Sequence, residues 1–395
     1  MTIIEFFDRE SAVENIISTL LCKPDKVVFI GNNYKLMQRS IERYKAVAYG
    51  RGLDVEFEAK SVPKNNLMAA VGVIEETIKE NKDCVVDLSG GNDLCLVAVG
   101  IVYSENADSI KLHRFSLSDC SMTDCDSDGV VCACEPMKLS IKECITISGG
   151  KMKFGGKADY EWDFSDDFKD DIRLMWSVCS KDPTEWNARI KSLDKLCSEY
   201  HNSDGLCFSF KSEKMEDGLI EILRSLAESK IINRFSNNGP VIEFAFKNEQ
   251  VKRALSKSGQ VLELAVTAAA LESTDKNGEK VYDEVLTGVT IDWEDEKSSV
   301  SNEIDVILMK GITPVFVSCK NGAVSSDELY KLSTVAEKFG GRFARKVLVA
   351  TELEKLGSKE AHIKARAESL GIRIIDRADE LSDSEFKRKI KNLYM

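Results

Sequence analysis

The chain of 395 residues lacks any apolar run as long as the roughly 18–20 residues of a membrane-spanning helix, which excludes a transmembrane protein and a membrane partner. Proline is scarce, with six residues, so we expect no long disordered linker. The N-terminal residues carry acids where a secretory signal peptide carries lysine, and we therefore expect a cytoplasmic protein. Basic residues are outnumbered by acidic ones, which gives a formal net charge of −12. This charge argues against a protein whose surface coats nucleic acid.

Histidine is scarcer still. The three histidines are isolated in the sequence, so neither a Ser-His-Asp nor a Cys-His arrangement is indicated. Cysteine is plentiful, with twelve residues, and those inside apolar runs, such as Cys84, Cys95 and Cys319, are typical of reduced, buried cytosolic thiols. A denser group has a spacing without the paired knuckles of structural zinc sites, and the sequence therefore favours no zinc there. This group consists of Cys120, Cys125, Cys132 and Cys134.

The first 150 residues alternate short β-branched runs with helical patterns of 10–17 residues. This alternation predicts a parallel, doubly wound α/β sheet. A capping box at Ser11–Glu14 is expected to open the first helix. Two runs near the end of this region, 130–136 and 143–150, are predicted to form a terminal hairpin. The predicted strands before them are 2–8, 26–31, 53–60, 84–91 and 109–117.

The rest of the chain divides into two predicted parts. Residues 151–257 form a connecting region with a winged-helix-like segment, in which a helix, a hairpin and a second helix follow one another. Residues 258–395 begin with a helix, continue with three antiparallel strands and then alternate helices with strands. We therefore expect an α/β chain with a Rossmann-like N-terminal domain at 1–150 and a second α/β domain at its C-terminal end.

Two strands of the N-terminal sheet end in glycine and asparagine. Small residues at the carboxyl ends of parallel strands let backbone N–H groups and helix N-termini approach a phosphate. Neither segment is a G-x-G-x-x-G motif or a P-loop, so nicotinamide and simple NTP binding lose support. The alternative is that the glycines only form tight strand-to-helix turns. The candidate ligand residues are Gly31, Asn32, Asn33, Ser89, Gly90, Gly91 and Asn92.

The C-terminal domain contains two acids and a lysine in a pattern that suits phosphodiester hydrolysis. Asp305 lies on one predicted strand, and Ser318 and Lys320 share one face of the next. A hairpin would bring these residues together, and Glu263 lies on the preceding helix. Carboxylates bind a hard divalent cation, and an ammonium neutralises the phosphate. The alternative is an exposed salt bridge across the hairpin.

These residues resemble the PD-(D/E)xK restriction-endonuclease-like core. The segment 87–93, DLSGGND, is similar to the D-L-[ST]-G-G motif of the CRISPR-associated Rossmann-fold (CARF) sensor domain. The whole chain therefore resembles the CRISPR-associated ancillary nucleases that join a CARF domain to such a nuclease domain. The resemblance implies a homodimer that binds a cyclic oligoadenylate, most often cyclic tetra-adenylate. It also implies metal-dependent cleavage of single-stranded DNA or RNA, with nicking of supercoiled DNA in some members, in type III CRISPR antiviral defence.

Ser318 departs from the family pattern, in which an acid precedes the lysine by two residues. A hydroxyl is a poorer metal ligand than a carboxylate. The resemblance then leaves Glu263 and Asp305, with the Cys319 carbonyl and water, to hold Mn²⁺ or Mg²⁺. Lys320 would position or activate water and neutralise the phosphate.

Two further acids are candidates to compensate for Ser318. Glu303 lies two residues before Asp305 on the same strand face, and Asp292 lies on the neighbouring strand. The departure also keeps open a different function, a ligand-responsive regulator that binds nucleic acid and has an inactive nuclease fold. A third possibility is a ring nuclease that degrades the cyclic ligand in the sensor pocket.

Overall fold

The structure is a computed structural model that describes residues 1–116, 121–127, 129–132, 137–154, 162–199, 205–294, 300–353 and 357–395. It contains a seven-stranded, a six-stranded and a three-stranded sheet. Within the described residues, no helix is both long enough and apolar enough to cross a membrane.

The seven-stranded sheet forms the N-terminal part, in the order β3-β2-β1-β4-β5-β6-β7. Its first five strands in this order run parallel, and β6 and β7 are added antiparallel. The doubly wound prediction is confirmed. The strands are β1 (Thr2–Phe6), β2 (Lys26–Gly31), β3 (Glu56–Ser61), β4 (Cys84–Asp87), β5 (Lys111–Ser116), β6 (Ser121–Asp124) and β7 (Val130–Cys132).

Four helices cover the two faces of this sheet. The first two pack on one face and the next two on the other, since their apolar residues join separate core clusters. The winding direction reverses between β1 and β4, which makes their carboxyl ends the switch point where ligands bind in doubly wound sheets. The helices are α1 (Glu14–Cys22), α2 (Tyr34–Gly50), α3 (Leu67–Glu80) and α4 (Asp93–Asn106).

The expected capping box at Ser11 is wrong. Helix α1 begins at Glu14, and its N-cap residue Val13 makes no side-chain hydrogen bond. The hydroxyl of Ser11 is buried without a hydrogen-bond partner. The carboxylate of Glu14 pairs instead with Arg342 from the C-terminal domain, so it does not turn back to the N–H of Ser11.

The predicted strand over 143–150 is also wrong. Residues Ile141–Ile147 form helix α5, because Ser140 and Glu143 complete a capping box and the apolar side chains then repeat with helical spacing. The next strand, β8 (Gly150–Phe154), pairs with the C-terminal sheet. The expected boundary between the N-terminal domain and the connecting region, at residue 150, therefore falls at the first residue of a strand that belongs to the C-terminal sheet. Of the predicted strand at 130–136, β7 covers the first three residues, and 133–136 lie outside the described residues.

The connecting region packs helices on the small sheet, whose strand order is β10-β11-β9. Helix α8, strands β10 and β11, and helix α9 form the predicted helix–hairpin–helix, and β9 adds a third strand. The elements are α6 (Asp166–Cys179), α7 (Pro183–Glu199), β9 (Cys207–Lys211), α8 (Asp217–Glu228), β10 (Ile232–Asn237), β11 (Val241–Phe246) and α9 (Glu249–Ala254).

The six-stranded sheet of the C-terminal domain has the order β16-β15-β14-β13-β12-β8. Strands β12, β13 and β14 are antiparallel, as predicted, and β15 and β16 run parallel to β14. The strands are β12 (Glu284–Trp293), β13 (Ser301–Lys310), β14 (Thr313–Lys320), β15 (Arg345–Ala350) and β16 (Ile372–Ile375). The helices are α10 (Gln260–Glu272), α11 (Ser326–Gly340), α12 (Ser358–Ser369) and α13 (Asp383–Lys391).

Helices α10 and α11 pack on opposite faces of this sheet. Helix α10 shares a core with Val306 and Val317, whereas α11 shares a different core with Ile307 and Phe316. Alternate residues of a strand point to opposite faces, so β13 and β14 contribute to both cores. The open end of the β13–β14 hairpin, opposite its turn, therefore lies between the first turns of these two helices.

Substitution of Gly150 can show how closely β8 packs in this domain. A Cβ atom on Gly150 would lie 2.5 Å from Phe339 Cε1 and 2.8 Å from Ile145 Cγ2. We expect Gly150→Ala to lower the free energy of unfolding by about 1–3 kcal/mol, because overpacking a filled core is destabilising.

The matched control is Gly72→Ala in α3, where an added Cβ meets open space. It should raise stability by about 0.5–1 kcal/mol, since alanine favours a helix more than glycine does. Urea unfolding of both variants is the measurement. A Gly150→Ala protein as stable as wild type would contradict the close packing of β8.

Candidate functional site

The β13–β14 hairpin brings Asp305, Ser318 and Lys320 together. Val306 pairs with Val317, so the preceding residue Asp305 faces Ser318. One Asp305 oxygen, Oδ2, accepts the backbone N–H of Cys319 at 2.7 Å and the Ser318 hydroxyl at 3.2 Å. The Lys320 Nζ lies 4.0 Å from the same oxygen. The hairpin thus holds a carboxylate, a hydroxyl and an ammonium at one end of the sheet.

Glu263 approaches the hairpin from α10, where the charges of Asp305, Glu303 and Lys320 act on its carboxylate. Its side chain is 5% exposed, and its Oε2 accepts a hydrogen bond of 2.9 Å from Gln260. Lys257 connects this acid to Glu303, because its Nζ lies 4.0 Å from Glu263 and 2.9 Å from Glu303. Two carboxylates therefore share one lysine beside the hairpin.

The charges in this group perturb one another. Burial and then the charge of Asp305 raise the pKa of Glu263 from 4.5 to about 7. Burial also raises the pKa of Asp305. Burial opposes the charged form of Lys320, but Asp305 and Glu328 outweigh it and raise the pKa of that ammonium. A cation placed near Glu263 and Asp305 would relieve their repulsion.

A cavity of about 70 Å³ opens beside the hairpin. Its polar wall includes Glu303, Asp305, Ser318, Lys320 and Glu328. The carboxylate of Glu328, in the first turn of α11, lies 3.1 Å from Lys320 Nζ and is closer to it than Asp305. Glu263 does not line this cavity.

Sequence reasoning missed Glu328 and Lys257. Glu328 follows Lys320 by eight residues, at the start of the next helix, and Lys257 precedes Glu263 by six. A signal for Glu328 existed, since a helix that follows a strand in an α/β domain starts near the strand's carboxyl end. Lys257 has no such signal, because its position depends on how the loop before α10 meets β13.

The residues fit a divalent cation of the magnesium type. No group of three or more His, Cys, Asp or Glu side chains in the described residues is arranged to hold a metal ion. Magnesium, however, keeps several waters and binds through one or two carboxylates together with substrate phosphates. Glu263 and Asp305 supply two carboxylates whose charges oppose each other.

Two other predicted residues place no side chain in this cavity. The Cys319 thiol is in the core, and burial raises its pKa well above the ordinary value, so only the backbone of Cys319 faces the site. Asp292 pairs with Lys153 of β8 at 2.5 Å and does not line the cavity.

In the N-terminal sheet, several candidate ligand residues form turns and caps. The Asn33 and Asn92 side chains accept N–H groups at the starts of α2 and α4, and Asn32 is exposed between strand and helix. Gly91 has a φ of +96°, and a Cβ there would lie 2.3 Å from Phe6. A Cβ on Gly31 would similarly lie 2.9 Å from the sulfur of Met37. These positions therefore need small or capping residues for structural reasons.

Ser89 lies at the switch point between β1 and β4. Its hydroxyl donates to Asp87 at 2.5 Å and accepts the N–H of Phe115 at 2.7 Å. A cleft of about 910 Å³ adjoins it, lined also by Gly100, Arg114 and Arg342. Of the seven candidate ligand residues, all within the described residues, only Ser89 lines this cleft. Gly90 is buried beside it, where a Cβ would lie 3.1 Å from the carbonyl of residue 6.

The raised pKa of Glu263 predicts a pH-dependent stability. Between pH 4.5 and about 7 the folded protein holds a proton on Glu263 that the unfolded chain has released. The free energy of unfolding of the metal-free protein therefore falls as pH rises through this window. Glu263→Gln cannot titrate, so its stability relative to wild type should grow between pH 5 and 8 by on the order of 3 kcal/mol.

Urea unfolding in a metal chelator at several pH values measures this difference, with exposed Glu279→Gln as the control. A stability difference between Glu263→Gln and wild type that does not change with pH would show that Glu263 is ionised in the fold throughout.

The chain is similar to several known proteins. Residues 250–394 match the family of the Card1-like endonuclease domain. Over 100% of its length the chain is similar to protein VC1899 from Vibrio cholerae, with a TM-score of 0.76, 17% identity and 97% of that chain covered. It is also similar to Can2 from Sulfobacillus thermosulfidooxidans in complex with cyclic tetra-adenylate, with a TM-score of 0.67, 13% identity and the same coverage of 100% and 97%. No curated protein sequence matches the chain.

The structural matches, at these identities, show the fold. They confirm the prediction of a CARF-type sheet that is followed by a restriction-endonuclease-like domain. The family match gives the C-terminal domain its class. Residues 250–394 therefore match the Card1-like endonuclease domain, and the resemblance of the chain to the CRISPR-associated ancillary nucleases is confirmed at this domain and in the fold.

Proposed function

We propose that the protein is a cytoplasmic homodimeric nuclease of type III CRISPR defence, which needs a metal ion, is activated by cyclic oligoadenylate and cleaves single-stranded DNA or RNA. The observation that carries this proposal is the 4.0 Å approach of Lys320 to Asp305, with Glu263 close enough for both charges to act on it, in a segment that matches the Card1-like endonuclease domain. Cyclic tetra-adenylate is bound to the structurally similar Can2, which supports the same ligand here.

The metal would lie between α10 and the hairpin. Glu263, Asp305 and the Cys319 carbonyl would hold Mn²⁺ or Mg²⁺, which supplies an activated water and polarises the phosphate. The Ser318 hydroxyl already donates to Asp305, so in this chain it orients a metal-binding carboxylate and does not replace the missing one.

Lys320 supplies positive charge from the cavity side. Its Nζ lies within 4.0 Å of Asp305, so a phosphodiester that met the metal would also meet this ammonium. An ammonium fixed where charge develops in the transition state stabilises that state more than the ground state. Lys320 would thus neutralise the phosphate and position the attacking water.

The N-terminal domain supplies the ligand site and a surface for the dimer. The cleft beside Ser89 presents the guanidinium of Arg114 toward an anionic ligand. Helices α3 and α4 expose Met68, Leu96 and Val97, which are 66%, 40% and 55% exposed. Apolar side chains grouped on adjacent helices favour burial against a second copy of the chain.

Cleavage of fluorescent single-stranded DNA and RNA tests the function. Wild type should cleave with cyclic tetra-adenylate and Mn²⁺ and stop when either is left out. Lys320→Ala should reduce the rate by roughly 100–1,000-fold, since it removes a preorganised charge from the transition state. The matched control is Lys310→Ala at the far end of the hairpin, which should cleave as wild type does.

The same assay separates the alternatives. Ligand-dependent binding of duplex DNA without cleavage by wild type would contradict a nuclease and favour the regulator with an inactive nuclease fold. Destruction of the cyclic ligand by the Lys320→Ala protein would instead favour a ring nuclease in the sensor pocket.

Glu328 predicts a second effect on the same reaction. Its carboxylate lies 3.1 Å from Lys320, closer than Asp305, so Glu328→Gln should remove a charged partner that holds the ammonium in place. We expect kcat to fall about 10–100-fold with KM unchanged, as when a residue that orients a reactive group is removed. Asp327→Asn, which removes the neighbouring charge from the same helix turn, should leave kcat unchanged.

Electron paramagnetic resonance can measure the Mn²⁺ affinity of the wild-type and Glu328→Gln proteins, each prepared without metal. This comparison tests whether Glu328 positions Lys320 or binds the metal. Unchanged Mn²⁺ affinity in Glu328→Gln would agree with a residue that positions Lys320. A tenfold loss of affinity would contradict that role and make Glu328 a metal ligand.

A further inference from the structure

An arginine of the C-terminal domain reaches the ligand side of the N-terminal sheet. Arg342 lies in the short 3-10 helix Gly341–Phe343 that follows α11. Its Nη2 donates to the Glu14 carboxylate and, at 3.3 Å, to the backbone carbonyl of Ser89. Glu14 starts α1 after β1, and Ser89 follows β4, so Arg342 spans the switch point of the sheet.

The partners of Arg342 are unequal in burial. The Glu14 side chain is 7% exposed, whereas the Arg342 side chain is 56% exposed. A buried carboxylate is costly without a cation, so the pair holds Arg342 firmly against the sensor domain. The guanidinium nevertheless keeps open edges toward the 910 Å³ cleft, which Arg342 and Glu14 both line.

An anionic nucleotide in this cleft would compete for the guanidinium. Arginine binds phosphate through a planar fork of N–H groups, and Arg114 offers a second one on the same cleft. A phosphodiester close to Ser89 would also repel the Glu14 carboxylate. Binding of the ligand and the Arg342–Glu14 pair are therefore linked through one side chain.

Helix α11 carries a change at Arg342 to the active site. It spans 15 residues, about 22 Å, from Ser326 to Gly340 and begins with the turn that contains Glu328. Its buried residues pack in the core of the C-terminal domain, and the Phe339 carbonyl accepts the Ser148 hydroxyl at 3.1 Å. A packed helix moves as a unit, so displacement of Arg342 would shift Glu328 and with it Lys320.

We propose that Arg342 is a ligand-sensing residue that the C-terminal domain contributes to the sensor cleft, and that a cyclic oligoadenylate activates cleavage by drawing Arg342 away from Glu14 and moving α11. The inference rests on the proposed function, because it assumes that an anionic nucleotide binds this cleft. It adds the residue that connects the two sites. Activation then follows from the difference in ligand affinity between the two positions of Arg342.

Two variants that break the same ion pair should have different effects on binding of cyclic tetra-adenylate. Glu14→Gln removes the competitor of the ligand, so we expect the Kd to fall about 5–10-fold and cleavage without ligand to rise. Arg342→Gln also raises cleavage without ligand, but it removes the contact with the phosphodiester. Its Kd should therefore be about 10-fold weaker than that of Glu14→Gln.

Calorimetry of the full chain gives the Kd values, and the cleavage assay without ligand gives the basal rates. The controls are Glu10→Gln on the loop that precedes α1 and Arg345→Gln at the start of β15, both exposed, which should match wild type. Equal Kd values in Glu14→Gln and Arg342→Gln would overturn this inference while leaving an activated wild-type nuclease intact. Absence of any binding by wild type would overturn the proposed function and this inference together.

Discussion

The register of the β13–β14 hairpin is the constraint on which the candidate active site depends. It places Asp305 opposite Ser318, where the carboxylate accepts the N–H of Cys319 and meets the ammonium of Lys320. A shift of one residue would turn Cys319 toward the site and bury Lys320 in the core beneath α10. The strand buries apolar side chains on both faces, such as Val317 on one and Phe316 on the other, and this packing opposes that shift.

The acids and lysines around this hairpin compensate for one another. A serine stands where the PD-(D/E)xK pattern that the sequence resembles has an acid, yet the cavity retains several carboxylates, because Glu303, Asp305 and Glu328 line it. Lys257 lies within 4.0 Å of Glu263 and Glu303, and Lys320 lies within 4.0 Å of Asp305 and Glu328. The lysines partly offset the cost of burying these carboxylates. The pKa values of Glu263 and Asp305 nevertheless stay raised, so the positive charge does not fully compensate for their burial.

The N-terminal domain has its own buried charges. Glu5 and Asp87 are paired in the register of β1 and β4, and burial followed by the charge of Asp87 raises the pKa of Glu5 well above its ordinary value. Burial and the Asp87 charge both oppose ionisation of Glu5, which reduces the repulsion between these two neighbouring carboxyl groups. The Ser89 loop is therefore held by Asp87 and contacted by Arg342, an arrangement in which the two domains meet at the switch point of the sheet.

Much of the architecture follows from local pattern. The alternation of β-branched runs and helices is sufficient to predict the doubly wound sheet, since its strands are buried on both faces and short loops connect them to helices. The stretch 143–150 escapes this reasoning because a run such as ECITISGG satisfies both strand and helix periodicity. Only the capping box at Ser140 and the apolar surface of the C-terminal sheet decide for the helix.

The candidate site divides in the same way. The spacing of Ser318 and Lys320 and the hairpin turn at Gly311 determined which residues share a strand face, because such relations depend on neighbours in the chain. The approach of Glu263 and Glu328 from opposite faces of the sheet, and the reach of Arg342 to Glu14, were decided only by the packing of helices from distant parts of the chain. Charge–charge distances of this kind depend on how whole elements pack, which no local periodicity records.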